Sequence, residues 1–100
     1  MANKPIRWDT AALKQFGSVI EYIAKDSIQN AERVRFEIIQ KIESLSINSD
    51  VFPPDKYKIE NKGNQYRAFE LYRLRISYFV GTDEIRIVRI RHTSRQPKSF

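Results

Sequence analysis

Arg73-Leu74-Arg75-Ile76-Ser77-Tyr78-Phe79-Val80, followed by Gly81-Thr82-Asp83 and then by Glu84 to His92 (EIRIVRIRH), is the stretch that decides the fold. Successive side chains of a strand point to opposite faces, so Leu74, Ile76, Tyr78 and Val80 share one face and Arg73, Arg75, Ser77 and Phe79 the other. Gly81-Thr82-Asp83 has the chemistry of a hairpin turn, and Glu84 to His92 alternates well enough to be the partner strand. One face of this hairpin is apolar and needs a cover. The other carries arginine.

Working outward, Tyr66 to Leu71 reads as a further strand, set off by the polar break Asn61-Lys62-Gly63-Asn64. Ile47 to Lys56 is rich in turn formers, and Pro53-Pro54 cannot continue a helix, so this segment is a loop. Before it lie two segments of helical period. From Thr10 to Lys25, Leu13, Phe16, Ile20 and Ile23 recur at helical spacing; after Lys25-Asp26-Ser27, Ala31, Val34, Ile38, Ile42 and Leu45 do so again. Asp9 or Thr10 is a natural cap for the first helix, and Asp26 or Ser27 for the second. So short a break makes an antiparallel helical hairpin. Pro5-Ile6-Arg7-Trp8 reads as a short first strand.

The order is therefore β-α-α-β-β-β, an α+β fold of three or four mostly antiparallel strands with the helical hairpin on one face, in one domain over residues 1–100. No remaining element is large enough to cover the second face, which predicts an arginine-lined concavity. No internal repeat, linker or low-complexity segment interrupts this organisation.

Composition narrows the chemistry. One hundred residues suffice for one core. Without cysteine there is no disulfide, thiolate nucleophile or Cys-based metal site, and one histidine rules out a multi-His site. No glycine-rich phosphate loop, GxSxG elbow or carboxylate cluster is present, so no cofactor and no metal are expected. No apolar run approaches a membrane span, and the chain reads as cytoplasmic.

The net charge of +6 is unevenly spread. Residues 1–65 hold 10 Lys and Arg against 9 Asp and Glu, whereas residues 66–100 hold 8 against 3. A focused positive field attracts nucleic acid, an acidic protein segment or the ribosome; basic residues also protect sheet edges from aggregation. Arg75 is the most informative position, because Arg67, Arg73, Arg91 and Arg95 lie on elements adjacent to its strand and guanidinium forks suit phosphate. Alternation makes Arg75 a surface residue whose loss costs within about 0.5 kcal/mol of stability. His92, where a strand gives way to a loop, has the chemistry for acid-base work, but a histidine that bonds a turn needs no catalysis. Lys56 and Lys58 could bind phosphate or be merely solvated. Tyr66 and Tyr78 have packing roles, and Phe100 could stack on a base only if the end of the chain folds back over the sheet.

Taken together, IRW at the start, YIAKDSIQNA across the helical hairpin, YRAF and LRISYFV in successive strands, and IRIVRIRHTSR resemble the RelE/ParE superfamily of bacterial type II toxins. The resemblance covers nearly the whole chain and implies the same β-α-α-β-β-β fold. It implies a role in growth arrest and a cognate antitoxin whose flexible acidic or amphipathic segment wraps the toxin, with a homodimer or a toxin-antitoxin hetero-oligomer as assembly. Two branches are implied. In RelE-like ribosome-dependent RNases, an arginine before an apolar-x-Tyr strand motif and another after the last strand lie in the active site; Arg75 in RISY and Arg95 match them, with His92 as the proton-transfer candidate and mRNA on the ribosome as target. Those toxins often finish with a reactive tyrosine, whereas the last tyrosine here is Tyr78. The ParE-like branch, which poisons DNA gyrase and has no established nuclease role, resembles this chain in YIAKDS and RIRHTSR. A nontoxic basic RNA- or protein-binding module of the same architecture is the alternative from another class.

Overall fold

The computed structural model describes residues 3–94 and 98–100. Its elements are β1 (Ile6–Trp8), α1 (Thr10–Asp26), α2 (Ile28–Ser44), β2 (Tyr66–Leu71), β3 (Leu74–Val80) and β4 (Ile85–His92). They form one four-stranded sheet in the order β1-β4-β3-β2. The β2, β3 and β4 pairings are antiparallel, and β1 joins β4 in parallel. The β-α-α-β-β-β order is as the periodicity predicts.

Packing explains why these segments settle here. Ala31, Val34, Ile38 and Ile42 give α2 a stripe of core residues, and Leu45 extends it just past the helix end. Ser27 caps α2 by accepting the Asn30 N–H at 3.0 Å. In α1 the buried stripe is offset from the expected one. Ala12 and Phe16 are buried, with Val19, Ile20 and Ile23 packed against the core, whereas Leu13 is 57% exposed. Leu13 misses the sheet because the stripe runs from Ala12 and not from its neighbour one residue on. Asp9 occupies the cap position of α1 but sends its carboxylate to Arg86 Nε at 3.0 Å. On the sheet side, Leu74, Ile76 and Tyr78 of β3 meet Ile85, Ile87 and Ile90 of β4 under the helices.

Two departures from regular pairing fix the opposite face. In β4, Ile87 pairs with Tyr78 and Arg89 with Ser77, so Val88 is an extra residue, a β-bulge. The bulge shifts the alternation: Ile87 and Ile90 both point into the core, and Arg86, Arg89 and Arg91 all point away from it. The β2–β3 connection is a two-residue turn, Tyr72-Arg73, with φ of 53° and 62° at those positions. Arg73 therefore sits in the turn and not on the strand beside Arg75, although neither turn residue is the Asn or Gly that such a turn favours.

The segment after α2 does not simply cross to the sheet. Asp55 N–H donates to Tyr66 O at 2.8 Å and Ala68 N–H to Pro53 O at 3.2 Å, so residues 53–55 run along the outer edge of β2. This sends the following residues, Lys56 to Ile59, across the arginine face. The expectation that nothing covers that face is corrected accordingly.

Candidate functional site

The face away from the helices is organised around a buried carboxylate. Asp55 is 2% exposed and accepts from Arg75 Nη2 at 2.9 Å, Ser77 Oγ at 2.7 Å and the Tyr57 N–H at 3.0 Å. Burial alone would raise the Asp55 carboxyl, but the hydrogen bonds from Arg75, Ser77 and Tyr57, with the charge of Arg75, outweigh it and hold the group below its usual value. Arg75 is also bound by its cross-strand neighbour, Nη1 lying 2.9 Å from Glu70 Oε2. The Tyr57 ring covers its guanidinium at 4.8 Å. Burial works against the Arg75 charge, and the bonds to Asp55 and Glu70 more than offset it, so its pKa is raised.

One strand over, the same face carries arginines of another kind. Arg89 pairs across the sheet with Ser77 and Arg91 with Arg75. Neither has a carboxylate within ion-pair distance among the described residues, and Arg89 Nη1 is buried without a hydrogen-bond partner. Burial and the neighbouring Arg91 lower the Arg89 pKa. Over it lies Phe100, with its ring 4.4 Å from the guanidinium. The chain does fold back: Phe100 N–H donates to Tyr57 O at 2.8 Å and Ile59 N–H donates to the Phe100 main-chain oxygen at 2.6 Å. Between these groups is a pocket of about 200 Å³, lined by Tyr57, Arg75, Ser77, Arg89, Arg91 and Phe100 among others.

This architecture has known counterparts. The family described as the ParE toxin of the type II toxin-antitoxin system parDE matches residues 6–97. The chain belongs to this family. A solved structure of the chromosomal ParDE TA system from P. aeruginosa is similar in fold, with a TM-score of 0.71 and 17% sequence identity over 89% of this chain and 95% of that one. No curated protein matches the chain. Membership in the ParE family makes this a type II toxin and corroborates the RelE/ParE resemblance.

Within this ParE fold the residues singled out in the sequence are dispersed. Arg75 and Arg91 line the pocket on the open face, and His92 reaches its margin. Arg67 does not join them. It pairs with Tyr78, so it lies on the helix side of the sheet, donating Nη1 to Phe52 O at 2.6 Å and tying down the loop after α2. Arg73 lies with His92 on a separate groove of about 800 Å³ between α1 and the end of β4. His92 Nδ1 accepts from the Ser94 N–H at 3.1 Å, the turn-bonding role. Lys58 Nζ sits 4.7 Å from the Tyr66 ring and 5.2 Å from that of Phe100, while Lys56 lies over Tyr57. Tyr78 is buried and donates its hydroxyl to Ser49 O at 2.9 Å; burial pushes its pKa up to about 12. Arg95 lies outside the described residues. Asp55, Ser77, Arg89 and Tyr57 are the site residues that sequence reasoning missed. The one available signal was Ser77, a small polar residue in line with Arg75 on the open face. Among the described residues no group of His, Asp and Glu could hold a metal ion, and no helix is long and apolar enough to cross a membrane.

Proposed function

We propose that this chain arrests growth by binding DNA gyrase, as the ParE-like branch does, and not by cutting mRNA on the ribosome. The observation that carries this reading is the state of Arg75. Both of its terminal nitrogens are bonded to carboxylates, Asp55 and Glu70, its Nε is buried without a partner, and an aromatic ring covers its face. A guanidinium that stabilises a scissile phosphate needs free donors aimed at the developing charge. Arg75 serves the fold instead.

The other groups support the same reading. His92 spends Nδ1 on the Ser94 turn, and Tyr78, its hydroxyl buried and bonded to Ser49, holds its proton far above neutral pH. Neither is poised as a base. The chain acts in this proposal as a binding protein, cytoplasmic, without cofactor or metal. A cognate antitoxin with an acidic or amphipathic segment covers the basic surface of residues 66–100 and forms a toxin-antitoxin hetero-oligomer with it. The ParDE system that shares the fold is a precedent for such a partner.

The test runs two assays on one preparation. With purified gyrase and supercoiled DNA, the chain should inhibit supercoiling and trap broken, protein-linked DNA; mRNA on translating ribosomes should stay intact. RNA cuts that vanish in Arg75→Ala would overturn the proposal in favour of ribosome-dependent cleavage. Neither effect, with no growth arrest on induction, would return the chain to the class of basic binding modules.

A further inference from the structure

The geometry points to a gated oxyanion site: Arg89 and Arg91 bind a phosphate or carboxylate group, and Phe100 is the movable roof that closes the site when it is empty. This inference stands whether or not gyrase is the target.

A buried donor without a partner is rare, because each one forfeits the hydrogen bond it made in water. Arg89 Nη1 is such a donor, as are Arg75 Nε and Arg86 Nε among the described residues, but only Arg89 of the three has no carboxylate within ion-pair distance there. Asp55, whose charge acts on Arg89, is already bonded to Arg75, Ser77 and the Tyr57 N–H. Arg91 stands beside Arg89 on β4, also without a carboxylate among the described residues. Two adjacent guanidiniums that repel each other, one depressed in pKa by burial and by the other's charge, are stabilised by an anion between them. Their planar forks match the paired oxygens of phosphate or carboxylate.

Phe100 substitutes only partly for that anion. Its ring faces Arg89 at 4.4 Å, an attraction weaker than a charge-assisted hydrogen bond. Phe100 makes two main-chain hydrogen bonds, to Tyr57 and Ile59, and Lys58 Nζ lies 3.3 Å from its main-chain oxygen. The pocket beneath, about 200 Å³, suits a small oxyanion or the acidic end of a larger ligand. An entering oxyanion would exchange the ring's contact with Arg89 for two or more direct hydrogen bonds.

The test titrates the full chain at low ionic strength with inorganic phosphate and, separately, with glutarate, following amide and arginine Nε–H signals by NMR. Saturable shifts at Arg89 and Arg91, with loss of protection at the Phe100 N–H, are expected. Arg89→Gln should weaken binding at least about tenfold. Arg7→Gln is the control: it removes the same charge from an exposed residue paired with Glu84, and should leave binding within about twofold. Phe100→Ala should tighten binding about fivefold by removing the competing roof. Tighter binding of phosphate than of glutarate assigns the site to phosphate-bearing ligands, and the reverse to acidic side chains. Failure of both anions to bind overturns the site, as does equal loss in Arg89→Gln and Arg7→Gln. Unchanged affinity in Phe100→Ala overturns the gate, and this arm decides the matter alone if Arg89→Gln does not fold.

Discussion

Arg75 and Arg89 sit on neighbouring strands of one sheet face, about equally apolar in their sequence surroundings, yet the structure gives them opposite circumstances. Arg75 is held by Asp55 and Glu70 and roofed by Tyr57. Arg89 has no carboxylate within ion-pair distance among the described residues and is roofed by Phe100. Strand pairing sets Glu70 beside Arg75, and the 53–55 edge segment delivers a second, buried carboxylate to the same guanidinium. An arginine's role is set here by what a distant loop brings to it.

The largest test of that contrast is Arg75→Ala. Removing the guanidinium leaves Asp55 buried with only Ser77 and the Tyr57 N–H as partners, and breaking such a pair costs about 3 kcal/mol, discounted somewhat because Arg75 keeps some exposure. Urea unfolding should show this loss, well beyond the 0.5 kcal/mol that alternation suggests; a near-neutral variant would return Arg75 to the solvated class.

Acid unfolding sharpens the same point. In the native chain the Asp55 pKa is depressed, so its contribution is fully present above the unfolded value of about 3.9 and is lost as pH falls through the folded value. In Arg75→Ala the burial that raises this carboxyl is no longer offset by a positive charge. Stability of that variant should therefore recover partly on mild acidification, where the parent's does not. Parallel curves for the two proteins would show that Asp55 is not the group that couples Arg75 to the fold.

Arg73 supplies an intermediate effect. Two residues from Arg75, it holds a φ of 62° in the Tyr72-Arg73 turn, where glycine is unstrained. Arg73→Gly should raise stability by about 1 kcal/mol, read as a higher melting temperature. A loss would mean that the Arg73 side chain contributes more on the α1 groove than the turn strain costs.

Arg89→Ala should change stability least, by about 0.5 kcal/mol or less, because the lost stacking on Phe100 is balanced by relief of a desolvated, unpartnered guanidinium. If it cost as much as Arg75→Ala, the two arginines would be equivalent after all and the contrast would fail.

The fold was largely legible because its signals are local. Helical spacing from Ala31 to Leu45, the Ser27 cap and the alternation of Leu74, Ile76 and Tyr78 each depend on residues a few positions apart, and the structure places them in α2, its N-terminus and β3. The site was legible only in outline. Excess charge after residue 66 marked a candidate working surface, and alternation put Arg75 on the face away from the helices. Arg67 and Arg73 were grouped with it because they lie on elements adjacent to its strand, Arg73 by alternation as well, and both lie elsewhere.

By itself, then, the sequence determined the order of elements, the apolar stripes and the basic final third, since periodicity and composition are written residue by residue. Only the tertiary structure decided which arginines meet a carboxylate among the described residues. The Val88 bulge reverses the alternation of β4 and carries Arg89 and Arg91 to the face of Arg75. The edge pairing of residues 53–55 brings Asp55 beneath a side chain 20 positions away, and Phe100 returns to Tyr57 across 43. Contacts of that range depend on how strands register and edges pair, which no short window of sequence specifies.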